Sequence, residues 1–238
     1  MPAIPHLLWL NLSPSLCPLN RPLLRQLSYR GTVAQWDYHH SADEPALLEI
    51  PLTLLHDHLK SVAQPVHLAG HGLSGVLGLL YAQRYPERVR SLTLLGVGPY
   101  PMVTWYSHYY AQRRLLPCHR DRILLKLVND LFGPMARSMV RELVCRLEAD
   151  LDSTPAPHSL ICHPYLAPGN SPVPLLACGS QDDGVIASHE FLRWQHWLHP
   201  GRGDQLWQCP QGRHFFQYSE AAALARAMGI FWQSLTPA

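Results

Sequence analysis

The sequence predicts an α/β protein: a doubly wound, mostly parallel sheet with helices on both faces and a helical insertion. Three observations carry that expectation. Apolar runs of strand length recur between turn residues, segments with helical spacing of leucines separate most of them, and the alternation stops over residues 99–172, which read as helical and strand-free. The 238 residues suffice for one sizeable core and are too few for two ordinary domains. The expected division is therefore a core of residues 1–98 and 173–238, with 99–172 as a cap or lid.

The expected strands are His6–Leu10, Thr32–Trp36, Val66–Gly70, Ser91–Leu95, Val173–Cys178 and Gln205–Cys209. Between them, Leu47–Val62 carries Leu48, Leu52, Leu55 and Leu59 on one helical face, and Gly75–Tyr85, Ser188–Leu198 and Ala221–Leu235 show comparable patterns. In the insertion the apolar positions fall into three groups: Tyr109, Leu115 and Leu116; Ile123 through Leu131; and Met135 through Leu147. Asp152–Pro172, rich in Pro, Ser and His, leads back to the next strand.

Composition excludes more than it selects. Lys+Arg 19 against Asp+Glu 17 leaves a formal charge of +2, which gives no electrostatic ground for nucleic acid or an anionic membrane as partner. Six cysteines show no C-x-x-C pairing, and Cys178 and Cys209 fall in apolar runs where a thiol packs as a small hydrophobe. No apolar run approaches the roughly 18 to 20 residues of a membrane span, and the first residues lack a basic start followed by an apolar stretch. A reducing, cytoplasmic setting is expected. His39-His40 and Cys162-His163 lack metal-site spacing, so neither a metal nor a cofactor is expected.

The segment Val66-His67-Leu68-Ala69-Gly70-His71-Gly72-Leu73-Ser74-Gly75, followed by Val76–Ala82 and then Arg84-Tyr85-Pro86-Glu87-Arg88-Val89, resembles the nucleophile elbow of the α/β-hydrolase superfamily. There the usual wording is Gly-His-Ser-Leu-Gly-Gly, a helix, and a Pro-Glu-Arg-Val turn. A sharp strand-to-helix turn lifts the nucleophile above the sheet edge, and small residues two positions to either side let the backbones approach. Counting along the motif puts Gly72 at the serine position and Ser74 at the trailing glycine. A second register makes Ser74 the nucleophile, but it puts Val76 at the second small position and lengthens the strand by two. Glycine suits the apex, where the backbone strain costs other residues about 1–3 kcal/mol.

The resemblance implies two further catalytic positions. Gly179-Ser180-Gln181-Asp182-Asp183 is similar to the loop that carries the acid and assigns it to Asp182, with Asp183 as the neighbouring carboxylate. Gln211-Gly212-Arg213-His214-Phe215-Phe216 is similar to the histidine loop and assigns His214. A His–Asp pair is a base, yet without a serine it has no nucleophile to activate. Asn11 and Leu12 stand where the family has His-Gly, so the backbone N–H groups of Leu12 and Leu73 are the candidate oxyanion donors. The loop Asp37-Tyr38-His39-His40-Ser41 also departs from the family's Asp-x-x-Gly-x-Gly-x-Ser, and the chain starts at the third strand of the usual sheet.

Trp105, Tyr106, Tyr109 and Tyr110 open the insertion, either lining a pocket above the elbow, with Trp105 and Tyr109 as candidates, or forming the packing face of a cap helix. Arg113, Arg114, Arg120, Arg122, Arg137, Arg141 and Arg146 make the insertion locally basic, either as a solvated face or as a docking patch for an acidic protein or a carboxylated ligand. Three functional readings stay open. One is a pseudoenzyme that binds an apolar small molecule under the cap or docks a protein. Another is a serine-independent enzyme using His214 and Asp182 as general base. The third is an ester hydrolase using Ser74 with His214 and Asp182.

Overall fold

Strand β1 (Leu7–Asn11) is buried along its whole length, so both its faces are covered. Leu7 and Trp9 join one apolar cluster while Leu8 and Leu10 join the other, as a side-chain period of two demands. The computed structural model describes residues 7–41, 43–156, 158–160 and 171–235. Among them β1 is joined by β2 (Val33–Asp37), β3 (Val66–His71), β4 (Val89–Leu95), β5 (Leu175–Ser180) and β6 (Gln205–Cys209) in the order β2-β1-β3-β4-β5-β6, all parallel. The chain steps outward from β1 to β2 and then returns across β1 to β3. The carboxyl ends of β1 and β3 therefore flank the switch point where such sheets open a crevice.

Helices α1 (Arg21–Ser28), α2 (Glu49–Lys60) and α3 (Leu73–Arg84) follow β1, β2 and β3 in turn. The insertion between β4 and β5 holds α4 (Trp105–Leu115), α5 (Arg120–Phe132) and α6 (Arg137–Ser153); α7 (Ser188–Phe191), α8 (Phe216–Ser219) and α9 (Ala221–Ser234) complete the chain. One face of the sheet is covered by Leu23 and Leu27 of α1 with Leu224, Met228 and Phe231 of α9. The other is covered by Leu52 and Leu55 of α2 with Val76 and Leu79 of α3.

The six expected strands form with shifted ends, and α1 is an addition. Only Leu23, Leu24 and Leu27 of that helix are buried, and Pro22 in its first turn disguises it as loop. Ser188–Leu198 differs from the expected helix. A single turn, α7, runs on as a 3-10 helix over Leu192–Trp197, which lets Trp194 Nε1 donate to Val97 O at 2.7 Å.

The insertion is tied to the core by polar contacts as well as apolar ones. Helix α4 starts in a capping box, in which Ser107 N donates to Thr104 Oγ1 and Thr104 N to Ser107 Oγ. One residue inside it, Tyr106 donates its hydroxyl to Asp150 Oδ2 of α6 at 2.5 Å and lies 3.1 Å from Ser13 Oγ beyond β1. Arg146 Nη1 donates to Ser15 O at 3.2 Å. Asp150 is fully buried. Burial pushes its carboxyl up to about 7, against the opposing pull of the hydrogen bonds.

The folded chain thus keeps a proton on Asp150 over a range in which an unfolded carboxyl, ionising near 3.8, has lost it. Where the folded state binds more protons, stability falls as pH rises. The unfolding midpoint of the native chain, taken relative to that of Asp150→Asn, is expected to drop between about pH 4 and pH 7 and then level off. The variant should be the more stable of the two at pH 8.

Candidate active site

β3 and α3 meet in a turn too tight for side chains. A Cβ on Gly70 would lie 2.6 Å from the backbone carbon of Ser74, and one on Gly75 would lie 2.8 Å from Gly70 O. Between them Gly72 takes φ +55 and ψ −126, a conformation that L side chains rarely adopt. Its N–H donates to Leu95 O at 2.9 Å and its carbonyl accepts from Val76 N at 3.1 Å. The apex is pinned from both sides, and a Cβ there would meet nothing within 4 Å.

Above it lies a cavity of about 40 Å³, walled by Asn11, Gly72, Leu73, Ser74 and His214 from the core and by Thr104, Trp105 and Tyr106 from the insertion. That is room for about three water-sized groups. Leu10, Leu16 and Phe215 add apolar wall.

The buried His214 ring reaches this cavity from the loop after β6. Its Nδ1 is 3.0 Å from Asp183 Oδ2. A carboxylate can only accept, so Nδ1 carries the hydrogen and Nε2 of the neutral ring is the basic nitrogen. No hydrogen-bond partner for Nε2 occurs among the described residues. Asp183 is itself held: its Oδ1 accepts from Val185 N at 2.7 Å and Ile186 N at 3.2 Å. Burial pushes the Asp183 carboxyl up, but the facing His214 and the three hydrogen bonds outweigh it and leave the carboxyl below its ordinary range.

His71, on β3, donates its Nε2 hydrogen to the His214 carbonyl at 2.9 Å and stacks on Phe215. Burial, aided by repulsion from His214, lowers the His71 ring to about 3, so it stays neutral. On α4, burial and the same repulsion lower His108.

No protein-family model matches the chain. It is 43% identical over 235 residues to the uncharacterized protein sll0249 of Synechocystis sp., an alignment that covers 99% of this chain and 93% of that one. It is 39% identical over 226 residues to the uncharacterized protein alr2406 of Nostoc sp., covering 95% and 90%. The chain belongs to the family of these two proteins. Among solved structures it is similar to a meta-cleavage product hydrolase from Pseudomonas fluorescens IP01 (CumD), with TM-score 0.73 and 15% identity over 97% of this chain and 91% of that one. It is also similar to epoxide hydrolase A from Mycobacterium thermoresistibile, with TM-score 0.68 and 15% identity over 100% and 94%. The fold is the α/β-hydrolase fold.

Within that fold, the structure corrects three sequence expectations. The carboxylate on His214 is Asp183, the neighbour of the expected Asp182. Asp182 instead accepts from Ser180 Oγ at 2.6 Å and Arg213 N at 2.8 Å, with the Arg213 guanidinium 3.4 Å away. Arg213 is the one non-glycine with positive φ, at 58°, among the described residues, so Asp182 clamps the strained residue that presents His214. Burial raises the Asp182 carboxyl, and these donors more than reverse the effect.

Leu12 is the second correction. Its N–H, the expected oxyanion donor, is spent at 2.9 Å on Ser74 Oγ, and it does not line the cavity. The third is Tyr109, which is buried one helical turn beyond Trp105 and packs edge-on against Tyr110 instead of facing the cavity. Gly72, Leu73, Ser74, Asn11, Trp105 and His214 do meet around it. Asn11 Nδ2 donates to Asp37 Oδ1 at 2.7 Å and to Cys17 Sγ.

Ser13, Thr104, His71 and Phe215 were not anticipated as site residues. His71 had a signal, standing one place before the apex. Among the described residues no group of three or more His, Cys, Asp or Glu side chains is placed to hold a metal, and Cys162-His163 lies outside them.

The glycines of the turn should separate in their tolerance of a methyl group. Gly72→Ala has space and only the backbone strain to meet, so a loss of about 1–3 kcal/mol is expected in chemical denaturation. Gly70→Ala and Gly75→Ala collide with backbone and should cost more, up to loss of the folded state.

Proposed function

We propose that this protein is an α/β-hydrolase-fold protein without a serine-hydrolase step, and that the cavity over Gly72 is a small-ligand site roofed by residues 99–172 acting as a cap. In this reading Gly72 occupies the nucleophile position. The observation that carries it is the fate of the nearby hydroxyl: Ser74 Oγ is buried and accepts the Leu12 N–H at 2.9 Å. This one contact occupies both the Ser74 hydroxyl and the Leu12 N–H, which speaks against the first as a substitute nucleophile and the second as an oxyanion donor.

The cavity sets the ligand's scale. About 40 Å³ accommodates a ligand of a few heavy atoms, and anything larger requires α4 to move. Leu10, Leu16, Leu73, Trp105 and Phe215 favour an apolar body, while His214 offers a polar end.

One observation favours a second reading. Asp183 is fixed by three hydrogen bonds so that His214 Nε2 is left as a base toward the cavity. Such a dyad can abstract a proton from a small acidic substrate with no serine involved.

A fluorophosphonate probe is expected to leave the native protein unlabelled. It should label the double variant Gly72→Ser/Ser74→Gly, which restores a hydroxyl to the apex and frees the Leu12 N–H. Labelling of the native chain that Ser74→Ala abolishes would sink the proposal in favour of a hydrolase built on Ser74. Turnover of a small carbon acid that stops in His214→Ala would establish the second reading.

A further inference from the structure

Exposed large apolar side chains are most frequent along the chain at the end of α4 and the start of α5. Nine large apolar side chains are exposed among the described residues, and four of them, Tyr110, Leu115, Leu116 and Leu125, fall between residues 110 and 125. Arg113–Pro117 are five consecutive exposed residues, so the turn leaving α4 projects from the surface. Leu115, at 77%, is the most exposed large apolar side chain among the described residues, and its neighbour Leu116 is at 42%.

Charge is concentrated there too. Residues 110–126 hold Arg113, Arg114, Arg120, Arg122 and Lys126 against the single acid Asp121. Arg120 is engaged by Glu148 and Asp152, and Lys126 by Asp130. Arg113, Arg114 and Arg122 have no carboxylate partner among the described residues. The overall charge of +2 conceals this local excess.

We infer that the end of α4 and the turn after it dock on an anionic membrane surface, with Leu115 and Leu116 entering the acyl boundary and Arg113 and Arg114 against lipid phosphates. A projecting five-residue turn is too small for a stable protein interface, which takes about 800 Å² from each partner. A membrane needs only a few inserted apolar side chains backed by cations. Among the described residues no helix is long and apolar enough to cross a membrane, so the contact is peripheral. The inference does not depend on how the cavity is used.

Flotation of the full chain with vesicles tests it. Binding is expected to vesicles of equal parts phosphatidylcholine and phosphatidylglycerol, weaker in high salt, and absent with phosphatidylcholine alone. The pairs Leu115→Ser/Leu116→Ser and Arg113→Gln/Arg114→Gln should each lower partitioning about tenfold or more. Tyr29→Ser, an equally exposed change elsewhere, should leave it unchanged. All these side chains are exposed, and unaltered circular dichroism will show that the variants fold. The inference is overturned if the native chain stays off anionic vesicles at low salt, or if the leucine variant floats as well as the native chain. Capture of polyglutamate by Arg113 and Arg114 without vesicle binding would likewise overturn it, making the surface a dock for acidic protein.

Discussion

Where β3 runs into the first turn of α3, the two backbones come closer than a methyl group allows. Gly70 lies against the backbone of Ser74 and Gly75 against Gly70 O, so strand and helix can meet only if both positions lack a side chain. That contact forces the reversal at Gly72 into positive φ. It also aims the free N-terminal turn of α3 at the crevice between the carboxyl ends of β1 and β3. The cavity, its floor and the position of Ser74 beneath Leu12 follow from this packing. Glycine at this position avoids the backbone strain that any side chain there would have to bear.

The opposite wall rests on two adjacent carboxylates with different work. Asp183 is buried and spends its oxygens on His214 and on the backbone of Val185 and Ile186. Asp182, more exposed, binds Ser180 and the backbone of Arg213, holding the one strained non-glycine of the described chain. One acid orients the imidazole, and the other shapes the loop that carries it. A buried carboxylate is tolerable only when its oxygens find donors, and Asp183 has three.

The insertion rests on the core through an acid of a third kind. Asp150 has the Tyr106 hydroxyl as its donor and, among the described residues, no cation against it, and burial keeps its proton on toward neutral pH. Its link through Tyr106 to Ser13 crosses from α6 to the loop after β1, next to the cavity. On its outer side, arginines and leucines share the exposed end of α4 and the turn after it.

Period and turn residues were enough to read the six strands and most of the helices between them, because these depend on neighbours in the chain. What spacing could not resolve was which of two consecutive aspartates faces the histidine. Adjacent side chains leave the backbone in different directions, and the turn after Ser180 decides between them. Nor could it reveal that Ser74 closes on Leu12, a contact spanning 62 positions, or that Tyr109 faces away from the cavity while Tyr106 meets it. The short helix α1 stayed hidden behind Pro22. The sequence by itself determined the absence of a hydroxyl at position 72. Only the tertiary structure decided where the nearest hydroxyl goes, because hydrogen bonds between distant segments depend on how the sheet brings them together.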